Sequence, residues 1–165
     1  MPRGSVYVDV NAPCAVVFDM LHDYTLRLDW DTMLSEARLL GGASTAAKGV
    51  RSLCVGTWRG AHLPMETEYI TFQRGIVAAV RLTNRPPLFE RFAASIRHVA
   101  LADNVSRVIY TYSFQARPRY LAPLVEPIVS RLLERETRSR LTALRAYVEE
   151  RAPRRNGAPA LENKR

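Results

Sequence analysis

Apolar residues recur at every second position near the start of the chain, and this period predicts a strand over residues 5–10. The spacing then becomes helical over residues 13–22, where Pro13 suits the first turn of a helix. A second short helix is expected over residues 25–30. The beginning of the chain is therefore predicted to fold as one strand followed by two small helices.

From residue 35 onward the period is two again, in segments that end at glycine, proline, asparagine or aspartate. These segments predict six further strands, over residues 36–40, 50–59, 62–73, 76–83, 89–101 and 105–116. Because only short turns join them, we expect the strands to pair as an antiparallel meander without crossover helices.

The last part of the chain has helical spacing from about residue 120 to residue 151. Pro127 is expected to kink this helix or to mark its regular start. An apolar stripe runs along the helix and includes Leu124, Ile128 and Leu132. The charges that interrupt the stripe are interpreted as a solvated face, made of Glu134, Arg135, Glu136, Arg138 and Arg140.

These elements predict an α+β fold in which a seven-stranded antiparallel sheet wraps around one long C-terminal helix. The sheet and the helix each have an apolar face, and each is the simplest cover for the other. One domain is expected over residues 1–151. Residues 152–165 are rich in proline, glycine, alanine and basic residues, which is typical of a disordered tail.

Several short segments, in their order along the chain, resemble one known superfamily. The segments are residues 8–13 with 16–18, 28–31, 64–69, 82–87, 110–114 and 121–124. Together they resemble the START-like helix-grip superfamily (SRPBCC), and within it the polyketide cyclase/dehydrase and lipid-transport branch. The resemblance covers about residues 5–150. It implies a cavity between the curved sheet and the last helix that holds an apolar ligand, and it brings no shared catalytic motif.

Strand alternation and the helical stripe select the candidate lining of such a cavity. On the last strand the apolar face carries two tyrosines whose hydroxyl groups need hydrogen-bond partners inside. Pro86 to Phe89 forms a stiff turn that could act as a lip of the cavity or dock on a partner. The predicted ligand-binding residues are Trp58, Tyr69, Phe89, Ile96, His98, Tyr110, Tyr112, Phe114, Leu124, Ile128 and Leu132.

Titratable residues offer little that converges on a catalytic centre. His98 faces inward by alternation and is the best acid/base candidate, aided by Tyr110, with a core histidine as the alternative. His22 and His62 lie at element boundaries and are interpreted as surface residues. Asp29 and Asp31 are interpreted as helix-end charges, whereas Glu66 and Glu68 suggest an outer-face ion pair beside an outward Arg81.

Charge and cysteine content narrow the function classes. The net charge is +8, and half of it lies in residues 151–165, so we expect no nucleic-acid binding and at most a weak contact between the tail and an acidic membrane surface. Cys14 and Cys54 lack the spacing of a metal site, and nothing indicates a metal or another cofactor. The absence of an apolar signal-peptide core predicts a cytoplasmic location.

The sequence therefore favours a non-catalytic carrier or sensor of a hydrophobic small molecule such as a lipid, an isoprenoid or a polyketide. The alternative is a polyketide cyclase or aromatase that works by cavity shape with acid/base help. A third hypothesis is an interaction module that uses the basic tail and the Pro86–Phe89 turn.

Overall fold

The computed structural model describes residues 1–58 and 61–151, without the side chains of Trp58 and Ala61. Seven strands form one antiparallel sheet: β1 (Arg3–Val10), β2 (Leu34–Leu39), β3 (Arg51–Trp58), β4 (Ala61–Gln73), β5 (Val77–Leu82), β6 (Phe89–Ala102) and β7 (Val105–Ala116). The helices are α1 (Cys14–His22), α2 (Arg27–Trp30) and α3 (Ala122–Arg151), and a short 3₁₀ turn (Arg119–Leu121) precedes α3. The predicted disordered tail, residues 152–165, lies outside the described residues.

The strand order across the sheet is β1-β7-β6-β5-β4-β3-β2, so each strand after β2 pairs with its predecessor and β1 closes on β7. Short turns join several of these strands, as at Gly75, whose φ of 74° suits glycine in the turn between β4 and β5, whereas the longer segment 40–50 joins β2 to β3. The sheet curls around α3, and α1 and α2 cover one end. The predicted α+β helix-grip fold is confirmed, and none of the helices in the described part is long and apolar enough to span a membrane.

Side chains alternate between the two faces of the sheet along each strand, and this decides which residues face the interior. On β7, Val108, Tyr112 and Phe114 are buried, while Thr111 between them is exposed. The second half of α3 packs into the same core, because Leu141, Leu144 and Val148 recur at helical spacing and are each at most 4% exposed. These contacts hold the helix against the sheet.

The first half of α3 differs from the prediction. Leu124 and Ile128 are 71% and 65% exposed, because Val125 and Val129, one position further along, turn toward the sheet instead. Pro127 does not mark the start of the helix, which begins five residues earlier at Ala122.

Candidate functional site

An interior cavity of about 140 Å³ lies between the concave face of the sheet and α3. Strands β3 to β7 form its floor and walls, α3 forms its roof, and residues of α1, α2 and their connection close one end. Its apolar lining consists of Leu21, Met65, Ala78, Val80, Phe92, Ala94, Ile96 and Leu133. The polar lining includes His22, Tyr24 and Tyr69 from one cluster and Arg27 and Arg140 from another, both described below, together with Cys54, Thr67, Tyr110, Tyr112, Glu136 and Thr137.

Four of the residues predicted to bind ligand line this cavity: Tyr69, Ile96, Tyr110 and Tyr112. Tyr112 donates a hydrogen bond of 3.4 Å from its hydroxyl to the carbonyl oxygen of Ser130 on α3. Within the described residues, the Tyr110 hydroxyl has no protein partner and stays available to the cavity. Their role in binding a ligand stays a prediction.

The other predicted residues lie elsewhere. Phe114 is buried in the core beside the cavity, and the side chain of Trp58 lies outside the described residues. Leu124 and Ile128 are exposed and do not line the cavity, contrary to the placement expected from the sequence. Leu132 does not line the cavity, because its neighbour Leu133 occupies the position that faces it.

At the Pro86–Phe89 turn, Pro87 is exposed and Leu88 is half-buried, whereas Phe89 is buried. Phe89 is 1% exposed, and its ring packs 5.6 Å from that of Phe92 and 5.7 Å from that of Phe114, measured between centroids. An apolar ring at the start of β6 gains more from this burial than from projecting into water. The Phe89 ring is therefore not available at the surface, and it does not line the cavity as expected.

The first polar cluster, called here the neutral cluster, consists of His22, Tyr24, Tyr69 and His98 packed around Phe18. His22 was predicted to lie at the surface and is buried instead, because it ends α1 on the side that faces the sheet. Its Nδ1 lies 3.0 Å from the Tyr69 hydroxyl, which in turn lies 3.1 Å from that of Tyr24. Among the described residues, His22 Nε2 is buried without a hydrogen-bond partner.

These groups are uncharged at neutral pH. Burial, with the nearby positive charge of Arg27, holds the pKa of His22 well below its ordinary value of 6.5. Burial, with the neighbouring Tyr24, likewise raises the pKa of Tyr69 well above 10.0. His22, Tyr24 and Tyr69 therefore line the cavity as neutral donors and acceptors, whereas the His22 Nε2 atom is buried and without a partner.

His98 points inward as predicted but does not line the cavity. Its ring packs 5.2 Å from that of Phe18, and neither ring nitrogen has a partner within the described part of the chain. Burial lowers its pKa to about 4. This position favours the interpretation of His98 as a core histidine over an acid/base role.

The second cluster, called here the charged cluster, consists of Arg27, Asp31 and Arg140. Asp31 was predicted to be a helix-end charge and is instead completely buried. Its Oδ2 accepts hydrogen bonds from Arg27 Nε at 3.1 Å and from Arg140 Nε at 2.9 Å, and Arg140 Nη2 lies at 2.8 Å. Burial alone would raise the pKa of Asp31, but the charges of Arg140 and Arg27 outweigh it and hold that pKa below 3.8.

Two residues of α3 interpreted as solvated, Glu136 and Arg140, also line the cavity, so that interpretation is wrong for them. Helical spacing could have shown this, because Leu133, Arg140 and the buried Leu144 share one face of the helix. The four-residue spacing of Arg27 and Asp31 likewise matches an ion pair along a helix. By contrast, no sequence pattern indicates that Arg140 reaches Asp31 from across the molecule.

The outer face of the sheet carries the ion pair that the sequence suggested. Arg81 is exposed and donates to Glu68 Oε2 from Nη2 at 2.9 Å, and His62 is exposed as well.

Both cysteines are free, and burial raises the pKa of Cys54, whose side chain lines the cavity. Within residues 1–58 and 61–151, no three His, Cys, Asp or Glu side chains come together in a way that could hold a metal ion.

A curled antiparallel sheet that grips a long C-terminal helix around an interior cavity defines a START-like helix-grip protein. The chain belongs to the polyketide cyclase / dehydrase and lipid transport family, whose model matches residues 1–149. This agrees with the resemblance found in the sequence.

Two solved structures illustrate the likeness. The Zhui aromatase/cyclase from Streptomyces sp. R1128 is 17% identical with a TM-score of 0.77, over 95% of this chain and 99% of that chain. A START superfamily protein from Mycobacterium smegmatis is 14% identical with a TM-score of 0.71, over 90% of this chain and 97% of that chain. No curated protein sequence matches the chain. At these identities the likeness establishes the fold alone.

Proposed function

We propose that the protein binds a small, apolar, ring-bearing molecule in the interior cavity and acts as its carrier or sensor. The observation that carries this proposal is a cavity of about 140 Å³ with an apolar wall and a few converging polar groups, which is the usual make-up of a ligand site. Membership of a family named for polyketide chemistry and lipid transport supports it.

The volume limits the ligand. An engineered apolar cavity of about 150 Å³ holds benzene, whereas sites for drug-sized ligands measure roughly 300–1,000 Å³. The cavity in this conformation therefore suits one or two fused rings. A longer polyketide or a lipid chain would require α3 to move away from the sheet.

The expected affinity is moderate. A two-ring aromatic molecule that hides roughly 200 Å² of apolar surface gains about 5 kcal/mol, and one or two hydrogen bonds add about 1 kcal/mol each. These contributions total about 6–7 kcal/mol, which corresponds to a Kd of roughly 10–40 μM before the entropic cost of association weakens it. A fluorescence titration with 2-naphthol covers this range.

A matched pair of variants tests where the probe binds. Ala94 lines the cavity, whereas Ala93 lies next to it on β6 and faces the other side of the sheet. Ala94→Leu fills part of the cavity and should weaken 2-naphthol binding about tenfold or more, while Ala93→Leu should leave it unchanged. Absence of binding by the unmodified protein, or equal effects of the two substitutions, would contradict the proposal.

The second candidate function is that of a polyketide aromatase/cyclase, and the buried contact between His22 and Tyr69 favours it. If His22 Nδ1–H donates to the Tyr69 hydroxyl, His22 Nε2 keeps a lone pair. This atom is buried in the structure, so removal of a proton from a carbon between two carbonyl groups would require the neutral cluster to open toward the cavity. The resulting carbanion attacks a second carbonyl carbon, and the protonated imidazole returns its proton to the new alkoxide. Because the pKa of His22 is depressed, it is in the basic form at neutral pH.

A synthetic poly-β-ketone thioester tests this candidate, with cyclised products measured by liquid chromatography and mass spectrometry. His22→Gln should slow cyclisation by about a hundredfold or more while 2-naphthol still binds. His98→Leu is the control, because His98 does not reach the cavity. Equal rates in His22→Gln and the unmodified protein would exclude His22 as the base.

A further inference from the structure

The start of α3 and the 3₁₀ turn before it expose a group of apolar side chains to solvent. Leu124 and Ile128 are 71% and 65% exposed, and Tyr120 in the 3₁₀ turn is 81% exposed. Each lies four residues from the next, so the three side chains are neighbours on one side of the chain. A single exposed leucine is ordinary, but neighbouring exposed apolar side chains mark a contact surface.

Two arginines continue this surface toward the C-terminus of the helix. Arg131 and Arg135 follow Leu124 by seven and eleven residues, and at about 100° per residue they fall with Leu124 and Ile128 within roughly 60° of the helix circumference. Both arginines are exposed, and neither takes part in an ion pair within the part of the chain that the structure describes. The four residues are called here the α3 face.

The carboxylates of this part of the helix do not neutralise the α3 face. Glu126 Oε1 accepts a hydrogen bond from the backbone nitrogen of Ala116 at 3.2 Å. Glu134 pairs with Arg138 at 3.0 Å. Between residues 119 and 138, four arginines are exposed against one glutamate: Arg119, Arg131, Arg135 and Arg138 against Glu134. The solvent side of this segment therefore carries a net positive charge.

An anionic lipid bilayer matches both features of the α3 face. Apolar side chains gain by burial at the boundary between headgroups and acyl chains, tyrosine is favoured at the level of the headgroups, and arginine forms paired hydrogen bonds with phosphate. A second copy of this chain fits less well, because two such faces would bring positive charge against positive charge and remove both from water.

We propose that the α3 face docks the protein on the surface of an anionic lipid bilayer. Leu124 and Ile128 would enter the boundary between headgroups and acyl chains, and Arg131 and Arg135 would bind lipid phosphates. The inference does not depend on the proposed ligand. Leu133, which lines the cavity, lies about 180° around the helix from Leu124, so docking would leave the ligand site on the opposite side of α3.

Co-sedimentation of the full chain with extruded vesicles tests the proposal. Vesicles of phosphatidylcholine with about 30% phosphatidylglycerol should bind the protein about tenfold or more tightly than vesicles of phosphatidylcholine alone, because basic residues are attracted to anionic lipid. Equal binding to the two kinds of vesicle, or binding to neither, would overturn the inference.

The apolar part of the face is tested by the double variant Leu124→Ser with Ile128→Ser, which should weaken binding to the anionic vesicles about tenfold. The matched control is Val99→Ser with Leu101→Ser, which removes two exposed apolar side chains from β6. This control should bind within about twofold of the unmodified chain. If both double variants lost the same affinity, the α3 face would not be the docking surface.

The basic part is tested by Arg131→Ser with Arg135→Ser, which should weaken binding to the anionic vesicles about fivefold or more. Arg91→Ser with Arg97→Ser removes the same charge from exposed positions on β6. A similar loss in the two double variants would show that net charge alone attracts the protein to the vesicles, and would overturn the inference.

Sedimentation velocity without vesicles tests whether a second copy covers the α3 face instead. The unmodified chain should not self-associate through this face. A dimer that Leu124→Ser with Ile128→Ser converts to a monomer would overturn the inference. All eight substituted side chains are exposed, so circular dichroism of each double variant should match that of the unmodified chain.

Discussion

The neutral cluster and the charged cluster lie at the same end of the cavity but bury their polar groups by opposite means. In the neutral cluster, His22 and His98 lose their charge, because burial lowers the pKa of both. In the charged cluster, Asp31 keeps its charge although it is completely buried, because two guanidinium groups meet its carboxylate. The same low-dielectric interior therefore holds uncharged bases and permanent ions side by side.

This difference follows from the partners available to each group. A histidine in an aromatic pocket has no counter-ion, so the neutral form is the one of lower free energy. A carboxylate between two arginines gains enough Coulomb energy and hydrogen bonding to stay ionised. The neutral cluster should therefore respond to pH, and the charged cluster should respond to the loss of a partner.

The largest effect is expected from Asp31→Asn, which keeps the shape of the side chain and removes its charge. The buried Arg27 and the partly exposed Arg140 would then lose the carboxylate that both contact, and breaking such a buried pair typically costs about 3–5 kcal/mol. Urea denaturation at pH 7 measures the loss in the free energy of unfolding.

The control for Asp31→Asn is Glu134→Gln, which removes the carboxylate of an ion pair on the solvent face of α3. Glu134 and Arg138 are both more than half exposed, so the loss should be below about 1 kcal/mol. Similar losses in the two variants would show that water screens the charged cluster as well as the surface pair, and the contrast between the clusters would disappear.

The next effect is a loss of stability in acid that comes from the neutral cluster. The pKa of His98 is about 4 in the folded chain and 6.5 in the unfolded chain, so below pH 6.5 the unfolded chain takes up a proton that the folded chain does not. Stability therefore falls as the pH drops from 6.5 to 4, and His98 alone accounts for about 3 kcal/mol. His22 adds to this loss in the same direction.

His98→Leu should remove the His98 share, so this variant should lose about 3 kcal/mol less between pH 7 and pH 4 than the unmodified chain does. Asp31 contributes little over this range, because its pKa lies below 3.8. The measurement is the free energy of unfolding in urea at several pH values. An unchanged slope in His98→Leu would mean that His98 is protonated in the folded chain too.

The fold was largely predictable from the sequence because the two-residue pattern of the strands and the helical pattern of apolar residues both depend on neighbouring positions only. Alternation along β7 and short turns such as the one at Gly75 define strands and their antiparallel order without knowledge of distant residues. The orientation of α3 was less predictable. Its apolar stripe is broad, and only packing decides that Val129 faces the sheet while Ile128 faces water.

The candidate site was predicted only in part. Tyr69, Tyr110 and Tyr112 line the cavity, because strand alternation places a side chain on one face or the other. Polar residues of the helices were missed, since a histidine, an aspartate or an arginine is usually exposed. His22 and Asp31 are buried because partners distant in the sequence, Tyr69 and Arg140, compensate them.

The smallest expected effect is that of Tyr69→Phe, which tests whether hydrogen bonds matter to the neutral cluster as ion pairs matter to the charged one. The substitution removes the hydroxyl between His22 and Tyr24 and leaves one buried and one half-buried polar group with one partner fewer. Since both hydrogen bonds are between uncharged groups, the loss in the free energy of unfolding should be about 1–2 kcal/mol at pH 7. Tyr7→Phe, where the ring is 61% exposed, should change stability by less than about 0.5 kcal/mol. A loss for Tyr69→Phe as large as that for Asp31→Asn would mean that this hydroxyl bonds to a charged His22, contrary to the pKa on which the contrast between the clusters depends.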